Sequence, residues 1–148
     1  MSAPLTRFVL EDQLCFALQD AARAVVASYR AGLAELGLTY PQYTVMLVLW
    51  EAEEVSFGDL CRRLSQDSAT VSPVVKRLTA MGVVEKRRRS DDERQVDVVL
   101  TDAGRALRER TREVQTGVER ATGMTGPEIA DLRSRLQAFT AALRADEA

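Results

Sequence analysis

A chain of 148 residues with 46% hydrophobic content can bury one core and is short for two independent domains, so one domain spanning 1–148 is expected. Histidine is absent, which removes the commonest metal ligand and the usual general base, and the two cysteines, Cys15 and Cys61, fit no zinc spacing; no metal, no cofactor and no enzymatic activity are expected. No apolar run approaches membrane-spanning length and no cleavable leader precedes Leu10, so the expectation is a cytoplasmic protein with reduced thiols and no membrane partner.

Residues 1–9 carry no pattern and read as a loose arm. From Leu10 to Leu36, Cys15, Leu18, Ala22, Val25 and Tyr29 recur at steps of three and four, which predicts a long helix with a seam for another helix. Gly37 closes it. Thr39, Tyr40 and Pro41 then supply a cap and a first-turn proline for a helix to about Trp50, and Tyr43, Val45, Met46, Leu47, Val48 and Leu49 leave that helix almost no polar face.

The stretch Ser56–Leu100 reads as short helix, turn, second helix and basic ribbon, the order of parts in a winged helix-turn-helix that binds duplex DNA. Ser56 caps a helix with Phe57, Leu60, Cys61 and Leu64 on one face. Asp67 and Ser68 open the next, whose Val71, Val74, Val75 and Leu78 turn inward until Gly82 ends it. Ser68, Thr70, Ser72, Lys76 and Arg77 remain on the outward face as candidate DNA contacts, and Pro73 must lie near the helix start or bend it. Val83 and Val84 lead into Lys86, Arg87, Arg88 and Arg89; an acidic turn from Ser90 to Glu93 reverses the chain, and Val96, Val98 and Leu100 alternate on the return strand.

A basic run alone is as readily a solvated face as a phosphate-binding one. Here six cations and one anion, Glu85, fall between Lys76 and Arg89, while the whole chain carries net charge -2 and a pI of about 5.3. Positive charge is therefore concentrated, the footprint that phosphate contacts need, and Lys86 and Arg88 join the candidate contacts.

Beyond the ribbon, Thr101 caps a helix with Leu107, Thr111, Val114 and Val118 on one side; Gly123–Gly126 interrupts, and Thr125 with Glu128 forms a capping box. Ile129, Leu132, Leu136, Phe139 and Leu143 again step three and four. These terminal helices, about 10–36 and 101–145, carry more apolar seam than a reading module of about 39–100 can cover. The surplus predicts a homodimer, and a two-fold dimer predicts an inverted-repeat operator. The expected fold class is mainly α with a small β-hairpin wing, a winged helix-turn-helix whose N- and C-terminal helices form a dimerisation region.

Asp92, Glu93 and Arg94, followed by Leu100, Thr101 and Gly104, resemble the wing signature of the multiple-antibiotic-resistance-type (MarR) regulators. The resemblance covers nearly the whole chain and implies a dimeric winged-helix repressor, with Arg94 entering the minor groove at the wing tip and Asp92 holding it. The runs Leu14–Leu18 and Leu38–Tyr43 resemble the organic hydroperoxide resistance regulators (OhrR), the thiol-based subgroup. In that subgroup a cysteine at the place of Cys15 is oxidised by organic peroxides, and tyrosines matching Tyr29 and Tyr40 hold its sulfur.

Cys15 and Tyr29 lie on one helical face, but fourteen residues put them roughly 21 Å apart along the axis. They cannot touch within one chain, so the resemblance implies contact across the dimer. Tyrosine hydroxyls and a helix start favour the thiolate, while Glu11 and Asp12 oppose it; the thiolate is the form that peroxide attacks. Members that form an inter-subunit disulfide use a second cysteine near the carboxyl end, and here the other cysteine is Cys61, which reads as packing. Single-cysteine chemistry follows, with a low-molecular-weight thiol as partner or with overoxidation. Some relatives carry a further tyrosine where this chain has Gln19.

Without the flanking motifs, Cys15 would read as a small buried hydrophobe. Three rivals to a peroxide-released repressor stay open: a repressor released by a small aromatic or lipophilic ligand with Cys15 passive, a peroxidatic enzyme, and a helical adaptor. The enzyme lacks a cationic partner near the thiol, and the adaptor leaves Lys76–Arg94 unexplained.

Overall fold

In a computed structural model, residues 7–89, 91, 92 and 94–148 are described, and they fall into two compact units that divide between Gln115 and Thr116. Along the chain run α1 (Leu14–Glu35), α2 (Tyr40–Ala52), β1 (Glu54–Ser56), α3 (Phe57–Leu64), α4 (Ser68–Ala80), β2 (Val84–Arg88), β3 (Val96–Leu100), α5 (Asp102–Ala121) and α6 (Gly126–Asp146). The expected class is present: mainly helical, with a small antiparallel wing.

The helix boundaries follow from local chemistry. At Gly37 and Gly82 the backbone enters the left-handed region at φ 74° and 76°. The next N–H, of Leu38 or Val83, then bonds back to the carbonyl of Leu33 or Leu78, closing the helix end. Thr39 and Gln42 make a reciprocal capping box at the start of α2, and Thr125 with Glu128 makes another at α6.

The expected helix over 10–36 is not continuous. Leu10–Asp12 is a single 3-10 turn, and Gln13 is extended at φ −87°, ψ 126°. Its side-chain amide donates to the carbonyls of Arg7 and Val9 at 2.7 and 2.9 Å, so a side chain serves backbone acceptors where the regular ladder breaks. The loose arm expected over 1–9 lies mostly outside the described residues, as do Ser90 and Glu93 of the expected acidic turn.

A third strand joins the expected hairpin. The sheet order is β1-β3-β2, all antiparallel, with Val55 opposite Val98, Val84 opposite Leu100, Lys86 opposite Val98 and Arg88 opposite Val96. Val84, Val98 and Leu100 are buried, so that face of the sheet turns to the core. There it meets α2, represented by Val45, Met46 and Leu49, together with Leu33, Leu60, Val71, Val75 and Leu78, all of them 1% exposed or less. By contrast, α6 buries none of its residues, and only Tyr29 and Leu33 of α1 are buried.

Candidate nucleic-acid interface and thiol site

The second helix of the reading unit, α4, is held at its start by Asp67, whose carboxylate accepts from the Thr70 N–H at 2.8 Å. Hydrogen bonds from the Thr70 side chain and its N–H keep the Asp67 carboxyl below its ordinary range, because both favour the charged form. Val71, Val74, Val75 and Leu78 fall within about 100° of the helix circumference and face inward. Ser68, Thr70, Ser72, Lys76 and Arg77 are all exposed on the remaining arc. Pro73 is the sixth residue of the helix and exposed, so the hydrogen bond it cannot make is lost on the solvent side.

The wing has two unlike faces. Lys86 and Arg88 share the pleat with Val84, Val96, Val98 and Leu100, on the side of the sheet that turns to the core. Arg87 and Arg89 point to the opposite face, where carboxylates wait: Arg87 lies 3.8 Å from Glu54, and Arg89 lies 3.8 Å from Asp97 and 3.6 Å from Asp91. At the tip, the Asp92 carboxylate accepts from the backbone N–H of Arg94 at 3.0 Å, and Gln95 N–H bonds to the Asp92 carbonyl. What Asp92 grips is therefore the peptide of Arg94, while the Arg94 side chain is exposed and lines a groove of about 690 Å³ beside Arg89, Asp97, Glu54, Phe57 and Arg62.

The base of the wing is knotted to the start of α5. The Thr101 hydroxyl donates to the Gly82 carbonyl at 2.6 Å and accepts from the Gly104 N–H at 3.1 Å; the buried Trp50 indole donates to the Gly104 carbonyl at 2.9 Å. Gly104 is required, since a Cβ there would sit 2.1 Å from the Val83 carbonyl oxygen. Alongside, Arg105 grips both carboxylate oxygens of Glu53, itself held at φ 63°, and also pairs with Asp102. The guanidinium holds the Glu53 carboxyl below its ordinary range.

Cys15 is exposed, the second residue of α1. Tyr29 is buried two thirds of the way along the same helix. Tyr40 packs edge-on against it with ring centroids 5.6 Å apart, and Tyr43 stacks on it at 5.0 Å. The two tyrosines expected at the thiol are thus brought together with a third that spacing alone assigned to the core, but within one chain Cys15 stays remote from them. Cys61 is half-buried on α3, where burial pushes its thiol up. Among the described residues no group of histidine, cysteine or carboxylate side chains could hold a metal, and no helix is long and apolar enough to cross a membrane.

This geometry has known counterparts. Residues 28–111 match the family model described as transcriptional regulator SarA/Rot. The chain is 45% identical over 136 residues to the HTH-type transcriptional regulator TtmR of Methylorubrum extorquens, covering 87% of this chain and 70% of that protein. The chain belongs to the MarR/SarA family of winged helix-turn-helix transcriptional regulators. This regulator is also 34% identical to the organic hydroperoxide resistance transcriptional regulator of Bacillus subtilis, over 86% of each chain. Its fold matches AbfR of Staphylococcus epidermidis, solved in reduced form bound to DNA, with a TM-score of 0.76 and 30% identity over 90% of this chain and 94% of the other. The regulator is a DNA-binding protein and not an enzyme.

Proposed function

We propose that the regulator is a homodimeric repressor that binds an inverted-repeat operator and leaves it when an organic hydroperoxide oxidises Cys15. The observation that carries this reading is the separation of an exposed thiol at the start of α1 from a packed Tyr29–Tyr40 pair about 21 Å further along the axis, which a second chain running antiparallel could close. Apolar surface for such a partner is present: Leu14, Val25, Leu132, Leu136, Phe139 and Leu143 are each more than a third exposed. The name of the Bacillus subtilis relative supports the oxidant class.

The chemistry balances without a cofactor. The Cys15 thiolate attacks one peroxide oxygen; the S–O bond forms as the O–O bond breaks, and the departing alkoxide takes a proton to leave as the alcohol. A small thiol can then condense with the sulfenic acid, giving a mixed disulfide and water. Either product enlarges and repolarises the seam between chains, and the paired α4 helices lose their spacing on the duplex.

A second reading leaves Cys15 passive. A groove of about 550 Å³ lies between α2 and α5, lined by Tyr43, Leu47, Trp50, Arg108, Thr111 and Arg112, a size and mix that suit a small aromatic effector.

Cys15→Ser separates them. DNA binding is followed on a duplex selected by the wild-type protein from random-sequence DNA, with cumene hydroperoxide added and protein mass measured in parallel. The first reading expects release of the wild type with oxygen added at Cys15, and retention of the variant. It is lost if the variant releases DNA as readily as the wild type.

A further inference from the structure

The basic run Lys86–Arg89 is uniform in sequence but divided in space. Strand alternation sends Lys86 and Arg88 to the side of the sheet shared with Val96 and Val98, whereas Arg87 and Arg89 meet Glu54, Asp91 and Asp97 on the other. A guanidinium that already faces carboxylates must give them up to bind phosphate. Arg89 is the more engaged of the two. Its backbone N–H bonds to the Gln95 carbonyl at 3.1 Å, and its guanidinium donates to the Gln95 side-chain oxygen at 3.0 Å. It also sits between Asp91 before the tip and Asp97 after it.

These contacts tie the two ends of the wing tip together, and between them lies Arg94, whose peptide is held by Asp92. We infer that Arg89 is a positioning residue for DNA recognition, fastening the tip from within so that Arg94 meets the duplex in one orientation, and that it is not a phosphate contact. This rests on the reading of Arg94 as the groove-entering residue. One exposed ion pair contributes little. Three side-chain contacts from one residue, to Asp91, Gln95 and Asp97, lower the number of conformations the tip must lose on binding.

Binding of the full-length protein to the selected duplex, titrated with salt, tests this in the wild type, Arg89→Ala, Arg89→Lys, Arg94→Ala, the double variant Arg89→Ala with Arg94→Ala, and Arg88→Ala as the phosphate-contact comparison. Positioning through Arg94 predicts that Arg89→Ala weakens specific binding about fivefold but has less than about a twofold effect once Arg94 is gone, as coupled residues do. Arg89→Lys, which keeps the charge and loses the planar fork, then behaves like Arg89→Ala. In the Arg94→Ala background the salt slope is unchanged by Arg89→Ala.

A direct phosphate contact gives the reverse pattern: equal losses in both backgrounds, a slope shallower by about 1 as for Arg88→Ala, and rescue by lysine. That result overturns the inference while leaving Arg94 its role. If Arg94→Ala alone has no effect, the reading of Arg94 fails, and the positioning role of Arg89 fails with it.

Discussion

Gly104 has a reason to be glycine that the sequence alone does not disclose. Its backbone passes so near the Val83 carbonyl that a methyl group would overlap the oxygen, and Trp50 donates to its own carbonyl. We expect Gly104→Ala to destabilise the protein by about 3 kcal/mol, the upper end for overpacking, because the obstructing atom is backbone and cannot turn aside. Urea unfolding followed by circular dichroism would show it; an unchanged midpoint would mean that the contact relaxes at no cost. Leu100, Thr101 and Gly104 were legible as a pattern by resemblance. Their physical content, a hydroxyl bridging Gly82 to Gly104, was not, because the two partners are 22 residues apart and only the folded wing brings them together. The role of Asp92 was legible only in part: the acid is at the tip as expected, and what it holds is the Arg94 peptide.

At the scale of elements, the helices were readable because their ends carry caps that act locally: Thr39, Ser56, Asp67 and Thr125 each accept from a backbone N–H three residues on. One of these carries a pH signature. The Asp67 carboxyl sits below its ordinary value of 3.8 in the folded state, so the stability it contributes is present above that value and is lost as pH falls through the lower folded one. Asn caps almost as well without ionising. The melting-temperature difference between wild type and Asp67→Asn should therefore shrink as pH falls from about 6 to about 3; parallel curves would show that the cap does not titrate. Strand β1 was not legible, because three residues with one apolar member give no alternation to read, and it exists by pairing Val55 with Val98. The break at Gln13 was hidden for a related reason: apolar spacing continues through it while the amide side chain diverts to the carbonyls before. The two-faced wing could have been found by pairing Arg87 with Asp97 across the turn, had the register been known.

For the whole molecule, the apolar steps Leu132, Leu136, Phe139 and Leu143 on a helix with no buried residue are the best measure of what a single chain leaves unfinished. In the proposed two-fold pairing, Leu136→Arg places a charge in that seam, and sedimentation equilibrium should show monomers at concentrations where the wild type sediments as a dimer. DNA affinity should fall in parallel; a variant with undiminished dimer mass would move the pairing surface elsewhere. The sequence conveyed this surplus as seam length, though not which chain covers it, since a partner leaves no mark on one chain's spacing.

The knot at Gly82, Thr101, Gly104 and Trp50 gives α5 one further property. A helix of 20 residues is about 30 Å long, and this one is pinned to the base of the wing at its first turn. A tilt of about 5° swings one end by roughly 2.6 Å relative to the other. That is close to the length of a hydrogen bond, so on the function proposed here a small change in the tilt of α5 is enough to disturb the Thr101 and Trp50 contacts at the wing base.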